Sequence, residues 1–401
     1  MSDQRPLTLL CLASYFKGAA FLKAAKQLGC TVLVITRESQ SEEDWPRKSI
    51  DEMFYMPSLR TRPDIVYAVS YIARSHAIDQ IIALDDFDVE TAGALRDHLR
   101  LPGMGESYAR HFRDKLTMRT LAKAAGIPIP EFTPVFNYDR LREFMERVPP
   151  PWLLKPRSEA SAMGITTIRS ADKIWPVLDQ LGDSQSFFLL EQFLPGDVFH
   201  VDGLLNEGKV IFAEAHRYGR PPMTVYQGGG VFVTRTLERH SAAARSLATL
   251  NRQVLKGLGA VRGASHVEFI RAEVDGKFYF LECAARVGGA NIAEAVEFAT
   301  GINLWAEWAK IEIAHLRGEP YQLPAIRRDY AGVINCLARQ EYPDLSPYQD
   351  PEVVWRLQKK SHAGLVLASP NSQRLQDLLD DYARRFAEDF LAVMPPRDKG
   401  P

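Results

Sequence analysis

Two short runs of β-branched and aromatic residues, separated by Asp275-Gly276, constrain the fold of this chain more than any other feature. Such runs around an Asp-Gly pair predict a β-hairpin. Each run carries one carboxylate among apolar neighbours, Glu268 in the first and Glu282 in the second. The register of the hairpin therefore decides whether the two carboxylates share a face of the sheet.

A two-residue turn at Asp275-Gly276 would place Glu268 opposite Cys283 and would turn Glu282 to the other face. A three-residue loop, Val274 to Gly276, places Glu268 opposite Glu282 and has glycine in its left-handed position. We expect this loop, with the carboxylates on one face about 5 Å apart. Like charges so placed favour a bound cation, and their hard oxygen atoms suit Mg²⁺. A solvated strand face with two unrelated glutamates is the alternative.

The composition is ordinary for a soluble globular protein, and 401 residues allow two or three domains. The net charge of −1 gives no global field for nucleic acid or an anionic membrane, so we expect neither partner. Four scattered cysteines form no zinc or redox motif, which predicts reduced thiols in the cytoplasm. The apolar run Leu7–Ala13 is interpreted as a buried strand, and no run is long enough to span a bilayer.

The first hundred residues alternate between strand and helix patterns, which predicts a doubly wound parallel α/β sheet. The strands are expected at Leu7–Ala13, Thr31–Thr36 and Gln80–Leu84. Asp85 and Asp86 then follow the carboxyl end of a strand, where open α/β sheets bind ligands. Turn formation and capping of the next helix explain these two residues equally well.

Basic and small residues suggest an anion site in the middle of the chain. Lys115 opens a helix, Lys155 ends the strand Trp152–Pro156, and small residues form the loop 158–164. Such groups can hold phosphate, although each alone is equally a surface feature.

The run Ser186–Asp197 predicts a buried strand whose edge could receive a flat base, with Asp197 near ribose hydroxyls. An ordinary strand–turn–strand is the alternative. Residues 213–226 are interpreted as a mobile loop near the site. Gly288-Gly289, beside Arg286, begins a helix and leaves N–H groups for an anion.

The C-terminal segment predicts two strands and a long amphipathic helix. The strands are expected at Tyr330–Arg339 and Gly364–Ala368, and the helix at Gln373–Phe390. The tail Pro395–Pro401 is expected to be disordered.

Together these features resemble the ATP-grasp superfamily, most closely its carboxylate–amine ligases related to L-amino acid ligases and biotin carboxylase. The resemblance covers about residues 5 to 320, and its most specific part is Phe280–Gly289 set after His266–Phe269. It implies an N-terminal doubly wound parallel α/β domain (1–110), an ATP-grasp domain (111–325) and a small C-terminal α+β domain (326–401). A mobile lid is implied at about 118–190.

The resemblance also implies roles for individual residues. It makes Arg286 and Lys155 catalytic, and Glu268 and Glu282 ligands of one or two Mg²⁺ ions, with Mn²⁺ as an alternative ion. ATP would be held by phosphate, loop, hinge and ribose contacts from Lys115, Lys155, Ser158, Ser161, Glu191, Gln192, Phe193, Leu194 and Asp197. The substrate would meet Arg286, Gly288, Gly289, His266 and His216, with His200, Arg217 and Tyr226 as further candidates for the acceptor pocket.

Two departures from the family pattern concern the metal and the phosphates. Many members have Asn where this chain has Ala284, and the loop 158–164 is poor in glycine. Both put a second metal ion in doubt.

The implied activity is ADP-forming ligation of a carboxylate to an amine through an acyl phosphate. The substrates are expected to be small molecules, amino acids above all, and a homodimer is left open. A nucleotide-binding regulator on a catalytically dead scaffold and a biotin carboxylase-type subunit are the alternatives.

Overall fold

The computed structural model describes residues 5–160 and 162–394, which form three β-sheets and their flanking helices. The strands are β1 (Thr8–Ala13), β2 (Thr31–Arg37), β3 (Glu52–Met56), β4 (Gln80–Ala83), β5 (Phe132–Pro134), β6 (Trp152–Pro156), β7 (Thr166–Ile168), β8 (Phe188–Gln192), β9 (Gly196–Asn206), β10 (Lys209–Tyr218), β11 (Phe232–Thr236), β12 (Gly263–Ala272), β13 (Phe278–Ala284), β14 (Tyr330–Leu337), β15 (Val353–Arg356) and β16 (His362–Ser369). The α-helices are α1 (Ala19–Gln27), α2 (Asp64–Ile72), α3 (Val89–Leu99), α4 (Glu106–Ala109), α5 (Lys115–Ala124), α6 (Tyr138–Arg147), α7 (Ile174–Leu181), α8 (Pro222–Gly228), α9 (Ala242–Gly257), α10 (Ile292–Thr300), α11 (Leu304–Arg317) and α12 (Ser372–Asp389).

The N-terminal sheet is parallel throughout, with the strand order β3-β2-β1-β4. Strand β1 is apolar at almost every position because both of its faces are covered. Leu9 and Cys11 point into one core with α1 and α11, whereas Leu10 and Leu12 point into a second core with α2 and α3. The predicted doubly wound parallel α/β domain is thereby confirmed.

The central sheet is antiparallel and contains eight strands in the order β13-β12-β9-β10-β11-β14-β16-β15. Helix α9 packs its apolar side on one face through Leu247, Val254 and Leu255. The C-terminal strands extend this sheet, since β14 pairs with β11 and β16 pairs with β14. The predicted domain boundary near residue 326 therefore separates strands that belong to one sheet. The predicted domain limits stay predictions. The predicted tail, Pro395–Pro401, lies outside the described residues.

The third sheet, called here the small sheet, has the order β5-β8-β6-β7 and its own core with α6 and α7. Trp152, Leu154 and Leu190 are fully buried in that core. Helix α5 comes just before the small sheet, yet its Met118 and Ala122 pack into the core of the central sheet. The implied lid at 118–190 thus includes a helix whose apolar side belongs to the central core.

The hairpin of β12 and β13 has the predicted pairing of Glu268 with Glu282, but the predicted three-residue loop is wrong. Phe269 pairs with Phe280, and Ala272 N–H donates to the Lys277 carbonyl, so the connection is one residue longer. The register then shifts at an extra residue in β13, between Phe280 and Glu282. This bulge, rather than the loop, brings the two carboxylates opposite one another.

The segment 213–226 is mostly regular, so its interpretation as an irregular loop is wrong. Strand β10 extends to Tyr218, and α8 begins at Pro222. Glu214, His216 and Tyr218 alternate along β10 and lie on one face, where they are buried. Polar residues at every second position made the strand look like a loop, because the usual apolar face is absent.

No helix within residues 5–160 and 162–394 combines the length and the apolar composition that crossing a membrane requires.

Gly196 begins β9 at a close approach to β12, and we predict that Gly196→Ala destabilises the protein. A Cβ atom on Gly196 would lie 2.1 Å from the carbonyl oxygen of Arg271. The strands must separate to accept it, and overpacking of this kind costs about 1–3 kcal/mol of unfolding free energy. Calorimetric unfolding should show a lower midpoint than wild type.

Gly228→Ala is the matched control, because a Cβ atom on Gly228 meets no atom within 4 Å. Equal unfolding midpoints for Gly196→Ala and Gly228→Ala would contradict the close-approach argument.

Candidate active site

A cavity of about 710 Å³ opens between the central sheet and the small sheet. Its volume is in the range of small-molecule sites. The structure brings most of the predicted site residues to it, from four separate parts of the chain. Those that line it are Lys115, Lys155, Glu191, Gln192, Phe193, Leu194, Asp197, His266, Glu268, Glu282, Arg286 and Gly289.

Other predicted residues do not line this cavity. His216 is fully buried in the central sheet, and Ser158 offers only its carbonyl to Arg113. Gly288 packs behind the cavity, where a Cβ atom would lie 2.5 Å from Oδ1 of Asp202. Because glycine has no side chain, the backbone at Gly288 can pack against the buried Asp202 carboxylate. Ser161 lies outside the described residues.

Glu268 and Glu282 sit side by side on the cavity face of the hairpin, and each has a polar neighbour. The Lys115 ammonium lies 3.0 Å from Oε1 of Glu282. The Tyr218 hydroxyl donates to Oε1 of Glu268 at 2.7 Å, and Nε2 of His266 lies 3.4 Å from the same oxygen. These contacts offset the repulsion that two adjacent carboxylates would otherwise have.

The surroundings of Glu268 keep it ionised. Burial opposes its charge, but the hydrogen bond and positive charge of His266 outweigh burial and lower the pKa of Glu268 to about 2. Burial similarly opposes protonation of His266, yet Asp202 raises the pKa of His266 to about 9. At neutral pH the site therefore holds a carboxylate beside an imidazolium.

The donor set fits a hard divalent cation. Two glutamates on adjacent strands offer carboxylate oxygens toward one cavity, and Mg²⁺ is bound in proteins by one or two carboxylates together with water and phosphate oxygens. Ala284, which lies opposite His266 in the hairpin, supplies no side-chain oxygen. The side chains that could hold a metal ion here are thus Glu268 and Glu282.

Asp202 is a residue that sequence reasoning missed. It is completely buried, and its carboxylate accepts from Nδ1 of His200 at 2.6 Å and from Nδ1 of His266 at 2.9 Å. Burial would raise the pKa of Asp202, but the two histidines hold it well below its usual range. The alternation of His200 and Asp202 along a strand was the available signal.

Lys155 takes part in a buried charged group with Glu191 and Arg119. The Lys155 ammonium contacts Oε1 of Glu191, and Nε of Arg119 lies 2.6 Å from Oε2 of Glu191. All three residues are at least nine-tenths buried. Burial lowers the pKa of Lys155 despite the opposing charge of Glu191. Two cations thus share one carboxylate, which leaves one positive charge at the cavity.

The end of β8 is the strand end predicted to receive a base. The Glu191 side chain is bound to Arg119 and Lys155, so this strand end offers backbone groups to the cavity. The N–H groups of Gln192 and Phe193 already donate to carbonyl groups at 2.8 and 3.2 Å. Asp197 is held by Arg217 at 2.8 Å and Arg271 at 3.0 Å.

Arg286 connects this cavity with the N-terminal sheet. Its Nε atom lies 3.6 Å from Oδ1 of Asp86, which also pairs with Arg113. Asp85, by contrast, accepts from the N–H of Phe87 and pairs with Lys17 at 2.9 Å. Of the two aspartates at the end of β4, one therefore caps the following turn and the other reaches a predicted catalytic residue.

Comparisons with known proteins identify the fold. No protein-family model matches the chain. The structure superposes on an L-amino acid ligase from Bacillus licheniformis with a TM-score of 0.76 and 16% identity, covering 98% of this chain and 100% of that one. For N5-carboxyaminoimidazole ribonucleotide synthetase from Thermus thermophilus the TM-score is 0.73, with 17% identity and coverage of 96% and 99%. The fold is ATP-grasp, as predicted.

The sequence itself is similar to two curated ligases. It is 25% identical to an L-arginine-specific L-amino acid ligase from Bacillus subtilis over 244 residues, 59% of this chain and 58% of that protein. It is also 25% identical to D-alanine–D-alanine ligase from Neisseria gonorrhoeae over 226 residues, 52% of this chain and 71% of that protein. The matched region thus spans less than two thirds of the first relative.

The chain therefore has the ATP-grasp fold, and its sequence is similar to ligases over about half of its length. The similarity to an L-amino acid ligase and to D-alanine–D-alanine ligase agrees with the predicted resemblance to carboxylate–amine ligases.

His216 makes stability depend on pH, and we predict that His216→Phe reduces acid sensitivity. Burial and the charge of the neighbouring His200 lower the pKa of His216 to about 3, against the opposing charge of Asp202, whose Oδ2 lies 3.7 Å from Nδ1 of His216. The unfolded chain binds a proton below about pH 6.5, so folding loses about 1.4 kcal/mol per pH unit as the pH falls toward 3.

Urea denaturation at pH 6.5 and pH 5 measures this effect. Wild type should lose about 2 kcal/mol more than His216→Phe over that interval. His240→Phe, at an exposed position, should behave as wild type. The same pH dependence in all three proteins would contradict a neutral His216.

Glu191 is predicted to be structural as well as near the nucleotide. Glu191→Ala leaves Arg119 and Lys155 buried without a counter-charge, and breaking a buried ion pair costs about 3–5 kcal/mol. Gln192→Ala, on the adjacent half-buried residue, should change unfolding free energy by less than about 1 kcal/mol. Urea denaturation compares the two, and similar small losses for both would contradict the assignment.

Proposed function

We propose that the protein is an ATP-dependent, ADP-forming ligase that activates a carboxylate as an acyl phosphate and joins it to an amine. The observation that carries this proposal is the pairing of Glu268 with Glu282 in a cavity that also contains Lys115, Lys155 and Arg286. This carboxylate pair and the cations beside it suit a magnesium–nucleotide complex and an anionic substrate.

We infer the following assignment of the nucleotide. Lys115 and Lys155 hold the phosphates, Glu191 to Leu194 form the edge for adenine, and Asp197 meets the ribose. In related folds, a carboxyaminoimidazole ribonucleotide synthase from Aspergillus clavatus was solved with ATP and a biotin carboxylase domain from Hydrogenobacter thermophilus with MgADP. Glu268 and Glu282 would hold Mg²⁺, which neutralises phosphate charge when bound.

The chemistry follows from the weak electrophilicity of a carboxylate. One carboxylate oxygen attacks the γ-phosphorus of ATP, the bond to the β,γ-bridging oxygen breaks, and ADP leaves. The amine then attacks the acyl carbon, the carbon–oxygen bond breaks, and phosphate leaves with that oxygen while the amine loses a proton. Lys115 and Lys155 align and neutralise the transferring group, and Arg286 orients the carboxylate.

Amino acids are the proposed substrates, since the relatives found by sequence include an L-arginine-specific L-amino acid ligase and D-alanine–D-alanine ligases. A regulator on a dead scaffold would be expected to lack a phosphate lysine or a metal carboxylate. Lys115, Lys155, Glu268 and Glu282 are all present at the cavity, which favours the ligase. A homodimer and a cytoplasmic location stay predictions.

We predict that Glu282→Ala lowers ADP formation by at least about 10²-fold while the protein remains folded. The substitution removes a carboxylate at the metal position, and the Glu282 side chain is partly exposed, so the core is unaffected. Coupled-enzyme assays of ADP release measure the loss, and circular dichroism checks the fold.

Glu273→Ala is the matched control, because Glu273 lies in the turn of the same hairpin, is exposed and borders the same cavity. It should keep most of the activity. ADP release by Glu282→Ala at the wild-type rate would refute the role of this carboxylate pair.

A screen of amino-acid pairs for release of ADP and phosphate identifies the substrates. The proposal requires release that depends on two substrates together. Nucleotide binding without release for any pair of carboxylate and amine would favour the regulator instead.

A further inference from the structure

A second cavity, of about 570 Å³, lies on the opposite face of the central sheet. It is enclosed by the N-terminal sheet through β4, by α3, by the first residues of β12 and by α11. Most of its lining is apolar, including Ile82, Leu205, Leu255 and Trp308. Its volume is sufficient for a small organic ligand.

Arg96 is a buried cation in this cavity, and none of the described residues gives it a carboxylate hydrogen-bond partner. Its side chain donates to the carbonyl groups of Ile81 and Met104, and within the described residues it forms no ion pair. Arg96 is 7% exposed. Burial lowers the pKa of Arg96 to about 10, so the guanidinium is still charged at neutral pH. A buried charge is costly unless an opposite charge accompanies it.

The charges of Glu312 and Asp97 favour protonation of Arg96, but within the described residues neither carboxylate forms an ion pair with it. The Glu312 carboxylate accepts from Nε of Arg262 at 3.0 Å and from the Trp308 indole N–H at 3.1 Å. The Glu312 ion pair is thus with Arg262, and the lining contains two arginines but one carboxylate. The hydroxyl of Ser265 also borders the cavity, is buried, and finds no hydrogen-bond partner among the described residues.

We propose that this cavity binds a small monocarboxylic acid with an apolar body. The carboxylate meets Arg96, the Ser265 hydroxyl supplies a further donor, and the body packs against Leu255 and Trp308. A bound carboxylate gives Arg96 an ion-pair partner, which a neutral ligand does not supply.

The position of the cavity suggests that its occupant is a regulator of the proposed ligase. Neighbouring residues of β12 alternate between the two faces, so Ser265 borders the second cavity and His266 borders the first. Likewise, Ala285 borders the second cavity and Arg286 borders the first. A ligand that moves this part of the hairpin would shift groups in both cavities, which couples the two affinities.

Calorimetric titration of the full chain tests the site, with phenylacetate as the probe and phenylacetamide as its neutral counterpart. Phenylacetate should bind at least about tenfold more tightly, as expected for a charge-assisted contact. Arg96→Met removes the charge, and Ala260→Trp fills the rim while keeping Arg96. Both should weaken phenylacetate binding at least about tenfold.

Arg286→Ala is the control for binding in the first cavity, and it should leave phenylacetate affinity unchanged. Equal affinities for phenylacetate and phenylacetamide would overturn the proposal, as would binding that is lost in Arg286→Ala but kept in Arg96→Met and Ala260→Trp. Unfolding midpoints of the variants check folding, and Ala260→Trp gives the test independently of the Arg96 hydrogen bonds.

The regulatory part rests on the proposed function. Saturating phenylacetate should change the affinity for ATP with Mg²⁺ at least about twofold, and unchanged affinity would remove the coupling. If ATP does not bind in either condition, the proposed ligase fails, while the phenylacetate site is still decided by the first titration.

Discussion

Two carboxylates held side by side on adjacent strands repel each other, and the rest of the site is arranged around that repulsion. Glu268 and Glu282 face one another because β13 contains an extra residue just before Glu282. The Lys115 ammonium offsets one charge, and the Tyr218 hydroxyl and His266 offset the other. Against the effect of burial, His266 and Tyr218 keep the pKa of Glu268 low, so its carboxylate is available to a cation at neutral pH.

The contacts that offset the charges of Glu268 and Glu282 continue behind the cavity, through buried polar side chains on the same face of the central sheet. Asp202 fixes His266 from behind, and Gly288 leaves room for the Asp202 carboxylate. On the other side, Asp86 brings the end of the N-terminal sheet to Arg286. The site therefore depends on both the central sheet and the N-terminal sheet. Asp202 acts on His266 within the central sheet, and Asp86 reaches Arg286 from the N-terminal sheet.

Local patterns predicted much of this architecture. Runs of β-branched residues, helix caps and the Asp-Gly turn are properties of neighbouring residues, and they gave α10 and the parallel N-terminal sheet correctly. The partners of the charged residues could not be predicted in that way. Arg119 meets Glu191 across 72 positions, and His266 meets Asp202 across 64. Strand β10 was missed because buried polar residues occupy the face that is usually apolar. The bulge in β13 was missed because no residue type in the sequence marks the position of the extra residue.

The most direct test follows an oxygen atom from the carboxylate substrate. With that substrate labelled with ¹⁸O and the amine unlabelled, the proposed mechanism moves one carboxylate oxygen to phosphorus and releases it in inorganic phosphate. Mass spectrometry should therefore find one ¹⁸O atom per phosphate formed. Amide product accompanied by unlabelled phosphate would contradict acyl phosphate formation in this cavity.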